Sequence, residues 1–445
     1  MERAERNDPT RWLDRLTRAL ARLLLAIFYR SAEVQGLERV PARGPVLFVA
    51  NHGNALIDPI VLVALLPRVP RFLAKHTLWN NPAIWPLLEL AGAIPVYRAQ
   101  EGDTSRNQET FARCYEELAR GGAVALFPEG ISHDQPSLQP LRTGAARIGL
   151  GARARGAASA AIVPIGLTFE SKRAFRSRLL LCAGETIAVD SRSDEDPEAV
   201  RALTEAIDAG LRAVTLNTDS WYTAKLVERA AEIYGGDPAR AMPGVAGLGE
   251  RFSLRHSFGA GYEAARAAEP ARVEALEAMA RRYELLLAAF RLRDDHVTAD
   301  YPWAYVAGYV GDAVPSLVAR LPVAAVGYAL NALPYHAVGR IAKLVEHEGD
   351  QPATFKLIAG FFLFPLTWAI EGGAAGLAWG SAGALAMAAI APITGWVALR
   401  FFERNESFWS EARAYLTLRA VPHRAAELRM LRRMMREELS ALVDS

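Results

Sequence analysis

Pro45-Val46-Leu47-Phe48-Val49-Ala50-Asn51-His52-Gly53-Asn54-Ala55-Leu56-Ile57-Asp58-Pro59 opens on an apolar run and closes on two side chains capable of proton chemistry. Val46–Ala50 reads as a strand buried on both faces, and His52 follows at its carboxyl end. In open α/β sheets the ligand crevice forms at that edge. Asp58 before Pro59 reads as a helix start, with Asp58 as N-cap and Pro59 at the first helical position. A strand, a polar turn and a helix in this order begin an α/β unit.

The pattern continues outward. Ala123–Phe127, Ala161–Phe169 and Leu179–Ala183 are further strand candidates, alternating with helical patterns at Pro59–Leu66, Asn107–Arg120 and Thr143–Arg155. A polar, acidic stretch at Ser191–Pro197 and one more helix to about Leu216 close this domain. Upstream, residues 11–30 form an amphipathic helix, with Trp12, Leu16, Leu20, Leu23 and Ile27 opposite Arg11, Asp14, Arg15, Arg18 and Arg22. Such a face suits either a membrane surface or the neighbouring domain. Residues 221–295 read as charged amphipathic helices, the clearest placing Val273, Leu276, Ala280, Tyr283, Leu287 and Phe290 on one side.

From Leu357 to Leu399, the only charge in 43 residues is Glu371. One span needs about 20 apolar residues, so this stretch predicts two spans turning at Glu371-Gly372-Gly373. Leu321–Gly339 is also uncharged but holds Pro322 and Pro334, and reads as a third span, a re-entrant segment or an interfacial helix. The tail, 401–445, carries eight of the chain's arginines, from Arg404 to Arg436, and suits a solvated helix or anionic lipid. Lys343, Lys356 and Arg400 flank the apolar stretch, which puts its outer ends and the large domain on the cytoplasmic side. The expected division is 1–30, 31–220, 221–320, 321–400 and 401–445.

Over the 445 residues, 51% are hydrophobic and 22% charged, enough for a sizeable core. A net charge of +2 gives no support to a nucleic-acid partner. The two cysteines, Cys114 and Cys182, stand far apart without metal-ligand spacing, which fits a reducing compartment. The charged N-terminus, Met1 to Arg6, shows no secretory signal.

An imidazole titrates near neutrality and suits removal of a proton from an attacking hydroxyl. A carboxylate on its other nitrogen fixes the tautomer and stabilises the imidazolium. His52 and Asp58 supply these two groups, although each also has an ordinary structural reading as a turn residue and a helix cap. A second rigid loop, Phe127-Pro128-Glu129-Gly130-Ile131-Ser132-His133, follows a strand and can offer backbone amides to an anion. A third, Gly92 to Arg98, presents a forked guanidinium suited to phosphate, and Lys75 is another phosphate candidate.

The order His52/Asp58, Gly92…Arg98, Phe127-Pro128-Glu129-Gly130, Val163-Pro164 resembles the glycerolipid acyltransferase superfamily over about residues 30–190. The resemblance implies a mixed-sheet α/β acyltransferase domain, here followed by a helical region and a C-terminal transmembrane hairpin. It implies His52 as general base and Asp58 as its orienting partner. It places Arg98, Glu129 and Gly130 in a pocket for the acceptor phosphate, with no metal or cofactor. Acyl-CoA or acyl carrier protein would be the donor, and a glycerol phosphate or lysophospholipid the acceptor. Five residues separate His52 from Asp58 where most members have four, and Ser132 stands where many have arginine. Both departures resemble the microsomal glycerol-3-phosphate and dihydroxyacetone-phosphate acyltransferase branch, leaving Arg142 or Lys75 to replace the missing cation.

Overall fold

The structure is a computed structural model that describes residues 9–82, 84–97, 107–157, 159–235, 247–299, 301–345 and 352–443. Two units emerge: Met1–Trp221 with Glu346–Leu357, and Tyr222–Val345 with Ile358–Ser445.

The first unit runs α1 (Pro9–Phe28), β1 (Tyr29–Gln35), β2 (Val46–Ala50), α2 (Ile57–Leu65), β3 (Arg71–Lys75), α3 (Trp85–Leu90), β4 (Ile94–Val96), α4 (Asn107–Ala119), β5 (Ala123–Leu126), α5 (Gly144–Ala154), β6 (Ala161–Phe169), β7 (Ser177–Ala183), β8 (Ile187–Ala188) and α6 (Pro197–Val214). The strands form one mixed sheet, ordered β1-β7-β6-β2-β5-β3-β4, with β8 on β6. β6 pairs antiparallel with β7 and β8, while the remaining pairings are parallel. Successive side chains of β2 point to opposite faces. Val46, Phe48 and Ala50 join α1 and α2 in one core. Leu47 and Val49 join α4, α5 and α6 in the other. Helices cover both faces, which is why β2 is apolar at every position.

Helix α1 packs on its own domain by one face. Ala21, Leu25 and Phe28 are buried on the domain, while Trp12, Leu16, Leu23 and Ile27 form an exposed stripe. The start of α2 corrects an expectation. Leu56, not Asp58, is the N-cap residue, and Asp58 lies inside the first turn. Its carboxylate reaches back to the amide of Asn54 instead of capping the helix. The strands β1, β3 and β4 were not among the sequence candidates. β1 is largely polar, β3 has only three apolar residues between Arg71 and Lys75, and β4 is only three residues long.

In the second unit, α7 (Trp221–Gly235), α8 (Leu248–Ala268), α9 (Pro270–Phe290) and α10 (Asp294–Thr298) precede α11 (Trp303–Val345), α12 (Pro352–Ala420) and α13 (Pro422–Val443). Val273, Ala280, Tyr283 and Leu287 are buried on α9. The arginine-rich tail differs from a solvated helix. α13 buries Ala425, Leu428, Met435 and Leu439 in the same cluster as Ala280, Tyr283 and Leu287 of α9. Arg432 is buried too, its Nε and Nη2 each 3.0 Å from an oxygen of Asp294, which also accepts from the Tyr283 hydroxyl at 2.7 Å. A buried guanidinium is tolerated because this carboxylate neutralises it with two-pronged geometry.

The long apolar helices are α11 and α12. Prolines 315, 322 and 334 do not break α11, which stays one helix. α12 is interrupted at Gly380, whose φ of 69° and ψ of −169° lie in a region open to glycine alone. The turn is therefore at Gly380 rather than at Glu371-Gly372-Gly373, and Glu371 lies within the first arm. The arms pack closely: a Cβ on Gly383 would stand 2.8 Å from the carbonyl oxygen of Ala375. Asn331 of α11 braces them, donating to Ala391 O at 3.1 Å and accepting from Trp368 Nε1 at 2.9 Å. Both helices are long and apolar enough to cross a membrane, and they keep large side chains outward, Leu377 being 93% exposed. A soluble core helix of this composition would bury them, so membrane association accounts for both helices.

Candidate active site

β2 and β5 are parallel neighbours, with Val49 beside Leu126. Three residues beyond each lie His52 and Glu129, so the register delivers both loops to the carboxyl edge of the sheet. Asn51 keeps the first loop in place by exchanging two hydrogen bonds with the backbone of Leu167, at 3.0 and 2.7 Å.

His52 Nδ1 lies 2.9 Å from Asp58 Oδ2; the imidazole is 15% exposed and the carboxylate 0%. Oδ2 also accepts from Asn54 N at 2.8 Å. A carboxylate is an acceptor, so Nδ1 carries the proton and donates, leaving the lone pair on Nε2. The ring stacks on Phe127, with centroids 4.0 Å apart and planes within 10°. This contact fixes the plane in which Nε2 points. Tyr29, the first residue of β1, lies behind Asp58 with its hydroxyl 3.3 Å from Asn54 Nδ2. Burial pushes its phenol pKa well above the ordinary range, and the charge of Asp58 adds to the shift.

Glu129 ties the two loops together. Oε1 accepts from His52 N at 2.8 Å; Oε2 accepts from Gln139 N at 2.8 Å and meets His133 Nε2. Gln135 N approaches His133 Nδ1 at 3.2 Å, so the proton of that ring sits on Nε2 and is donated to Glu129. His133 N in turn donates to His52 O at 3.1 Å. Ser132 Oγ accepts from Ala55 N at 3.1 Å, holding a residue with φ of 42°. Gly130, with φ of 74°, lies under Arg142, whose Nε would be 2.6 Å from a Cβ there. Arg142 N donates to Pro128 O at 2.8 Å, drawing the arginine over the loop. Lys75 closes β3, next to β5 on the same edge. Arg98 lies outside the described residues.

His52, Asp58, Glu129, Gly130, Ser132 and Arg142 thus converge on one edge, with the lone pair of the imidazole on Nε2 and backing carboxylates behind. Two contributors gave no signal in sequence. Lys172, in the loop between β6 and β7, reaches Asp134 at 2.8 Å. Thr354, from the first turn of α12, accepts from Leu56 N at 3.1 Å.

Residues 31–168 match the family described as Acyltransferase. Glycerol-3-phosphate O-acyltransferase 2 of Saccharomyces cerevisiae is 35% identical over 158 residues, covering 34% of this chain and 21% of that protein. Glycerol-3-phosphate O-acyltransferase 1 of the same yeast is 23% identical over 301 residues, covering 46% of this chain and 40% of its own length. The chloroplastic 1-acyl-sn-glycerol-3-phosphate acyltransferase BAT2 of Brassica napus is 29% identical over 119 residues, 26% of this chain and 33% of that protein. The chain spans less than half the length of each. Fold and matched segment together define an acyltransferase domain. The sequences it is similar to include glycerol-3-phosphate O-acyltransferases.

Proposed function

We propose that the chain is a membrane-bound O-acyltransferase that moves a fatty acyl group from acyl-CoA or acyl carrier protein to a hydroxyl of glycerol 3-phosphate or a close relative, in phospholipid synthesis. The observation that carries this reading is the 2.9 Å contact of His52 Nδ1 with the fully buried Asp58, which leaves the lone pair on Nε2 to act as base. Nε2 takes the acceptor's proton as its oxygen attacks the thioester carbonyl. The ester C–O bond forms, the C–S bond breaks, and the imidazolium returns its proton to the departing thiolate. No enzyme nucleophile is needed, because the acceptor oxygen fills that role.

In this reading Glu129 organises the loops, since hydrogen bonds from protein groups reach both its oxygens. Arg142 over Gly130, and Lys75, are the cations offered to phosphate in place of the arginine replaced by Ser132. Arg98 is assigned to the same pocket from the resemblance. The two apolar helices hold the enzyme in the membrane as a multi-pass protein. Lys356 before the Gly380 turn and Arg400 after it favour a catalytic domain on the cytoplasmic face. The similarity to BAT2 makes 1-acylglycerol 3-phosphate the second acceptor to consider.

An acceptor panel with one labelled acyl-CoA tests the reading. Label should appear in a monoacylated glycerol phosphate when glycerol 3-phosphate is supplied, or in a diacylated one if lysophosphatidate is the acceptor. Transfer only to acceptors without phosphate would refute it.

A further inference from the structure

The loop between β6 and β7 sends Lys172 across the turn that carries His52. Its Nζ is 2.8 Å from Asp134 Oδ1, just after the loop that carries Glu129. A Cβ built on Gly53 would stand 3.0 Å from Nζ, 3.3 Å from Cε and 3.7 Å from His133 O. The ammonium therefore rests on the residue that follows His52, between the two site loops. The lysine side chain is 24% exposed and Asp134 30%. This is a cation held at the mouth of the site, unlike an ordinary surface pair, whose long side chains are free to wander. Asp134 accepts from one of the ammonium's three N–H donors, and an ammonium can offer more than one donor to an anion.

Ser132 brings no positive charge to the Glu129 loop, and its hydroxyl is already engaged by Ala55 N. Glu129 and Asp58 bring two buried carboxylates to the same edge, which repel an approaching phosphate unless a cation offsets them. We infer that Lys172 is a specificity-determining residue that binds the acceptor's phosphomonoester and so brings its free hydroxyl to His52 Nε2. This rests on the reading above that the acceptor carries a phosphate. Asp134 holds the ammonium in place, and the absence of a side chain at Gly53 leaves it room.

Phosphate contact persists from bound substrate to transition state, so its loss appears in KM more than in kcat. Lys172→Met should raise KM for glycerol 3-phosphate about 10- to 100-fold, the range of a lost charge-assisted hydrogen bond, with kcat within a few-fold. Lys172→Arg should restore most of the affinity, and transfer to uncharged monoacylglycerol should not change. Protection of the detergent-solubilised protein against thermal unfolding by glycerol 3-phosphate should weaken in parallel. A KM within twofold of wild type, or an equal loss with monoacylglycerol, would overturn the assignment. If Lys172→Met fails to fold, Lys172→Gln against Lys172→Arg carries the same comparison. A wild-type enzyme that acylates monoacylglycerol but no phosphorylated acceptor would instead remove the reading on which the inference rests.

Discussion

His52→Ala should lower kcat for acyl transfer by about 10²–10⁴-fold, the usual contribution of a positioned general base. KM for the acceptor should stay near wild type, because the proposed phosphate contacts are made by cations and not by His52. The size of the effect follows from geometry. Nδ1 is occupied by Asp58 and the ring is stacked on Phe127, so Nε2 has one direction in which to act. His133 is not available to substitute, because its Nε2 is directed at Glu129 and its Nδ1 is approached by Gln135 N. Asp58 retains the Asn54 amide after the substitution, so the turn keeps one of its ties. Steady-state kinetics in detergent with labelled acyl-CoA gives the answer; turnover within tenfold of wild type would rule out His52 as base.

Asp58→Asn should cost on the order of 10³–10⁴-fold in kcat, the scale known for an aspartate-to-asparagine change behind a catalytic histidine. Asp58 Oδ2 now accepts from both His52 Nδ1 and Asn54 N. An amide has a single acceptor oxygen and an N–H₂ group, and with the latter toward the ring, the proton moves to Nε2 and the base is lost. The neutral amide also does nothing for the imidazolium that forms. The change is isosteric at a fully buried site, so the thermal unfolding midpoint should move little while activity falls. Parallel losses of fold and activity would assign Asp58 a structural part alone.

The carboxyl-edge location of His52 was legible because Val46–Ala50 is apolar without interruption and is followed at once by polar turn residues. Asp58 was legible as a partner but misplaced as a cap: Asp-Pro satisfies capping rules equally well, and only the fold shows its carboxylate turned back toward Asn54 and His52. The loop role of Glu129 was hidden because its partners, His52 N and Gln139 N, are backbone groups that any residue would carry. Lys172 lay in Ser171-Lys172-Arg173, an ordinary polar loop in sequence, and β6–β7 pairing alone brings it over Gly53. In the apolar hairpin, Glu371 with two glycines looked like the turn, yet the chain reverses at Gly380. Close packing of Gly383 on Ala375 needs small residues on both arms, and the local polarity at Glu371 gave no hint of that.

The central claim is that an acceptor hydroxyl, activated by His52, cleaves the thioester. Release of free CoA from acyl-CoA by the intact protein in detergent, measured with and without glycerol 3-phosphate or lysophosphatidate, tests it most directly. The account predicts release only when an acceptor is present, matched mole for mole by new ester. Release at the same rate without acceptor would show that water is the nucleophile and would contradict it.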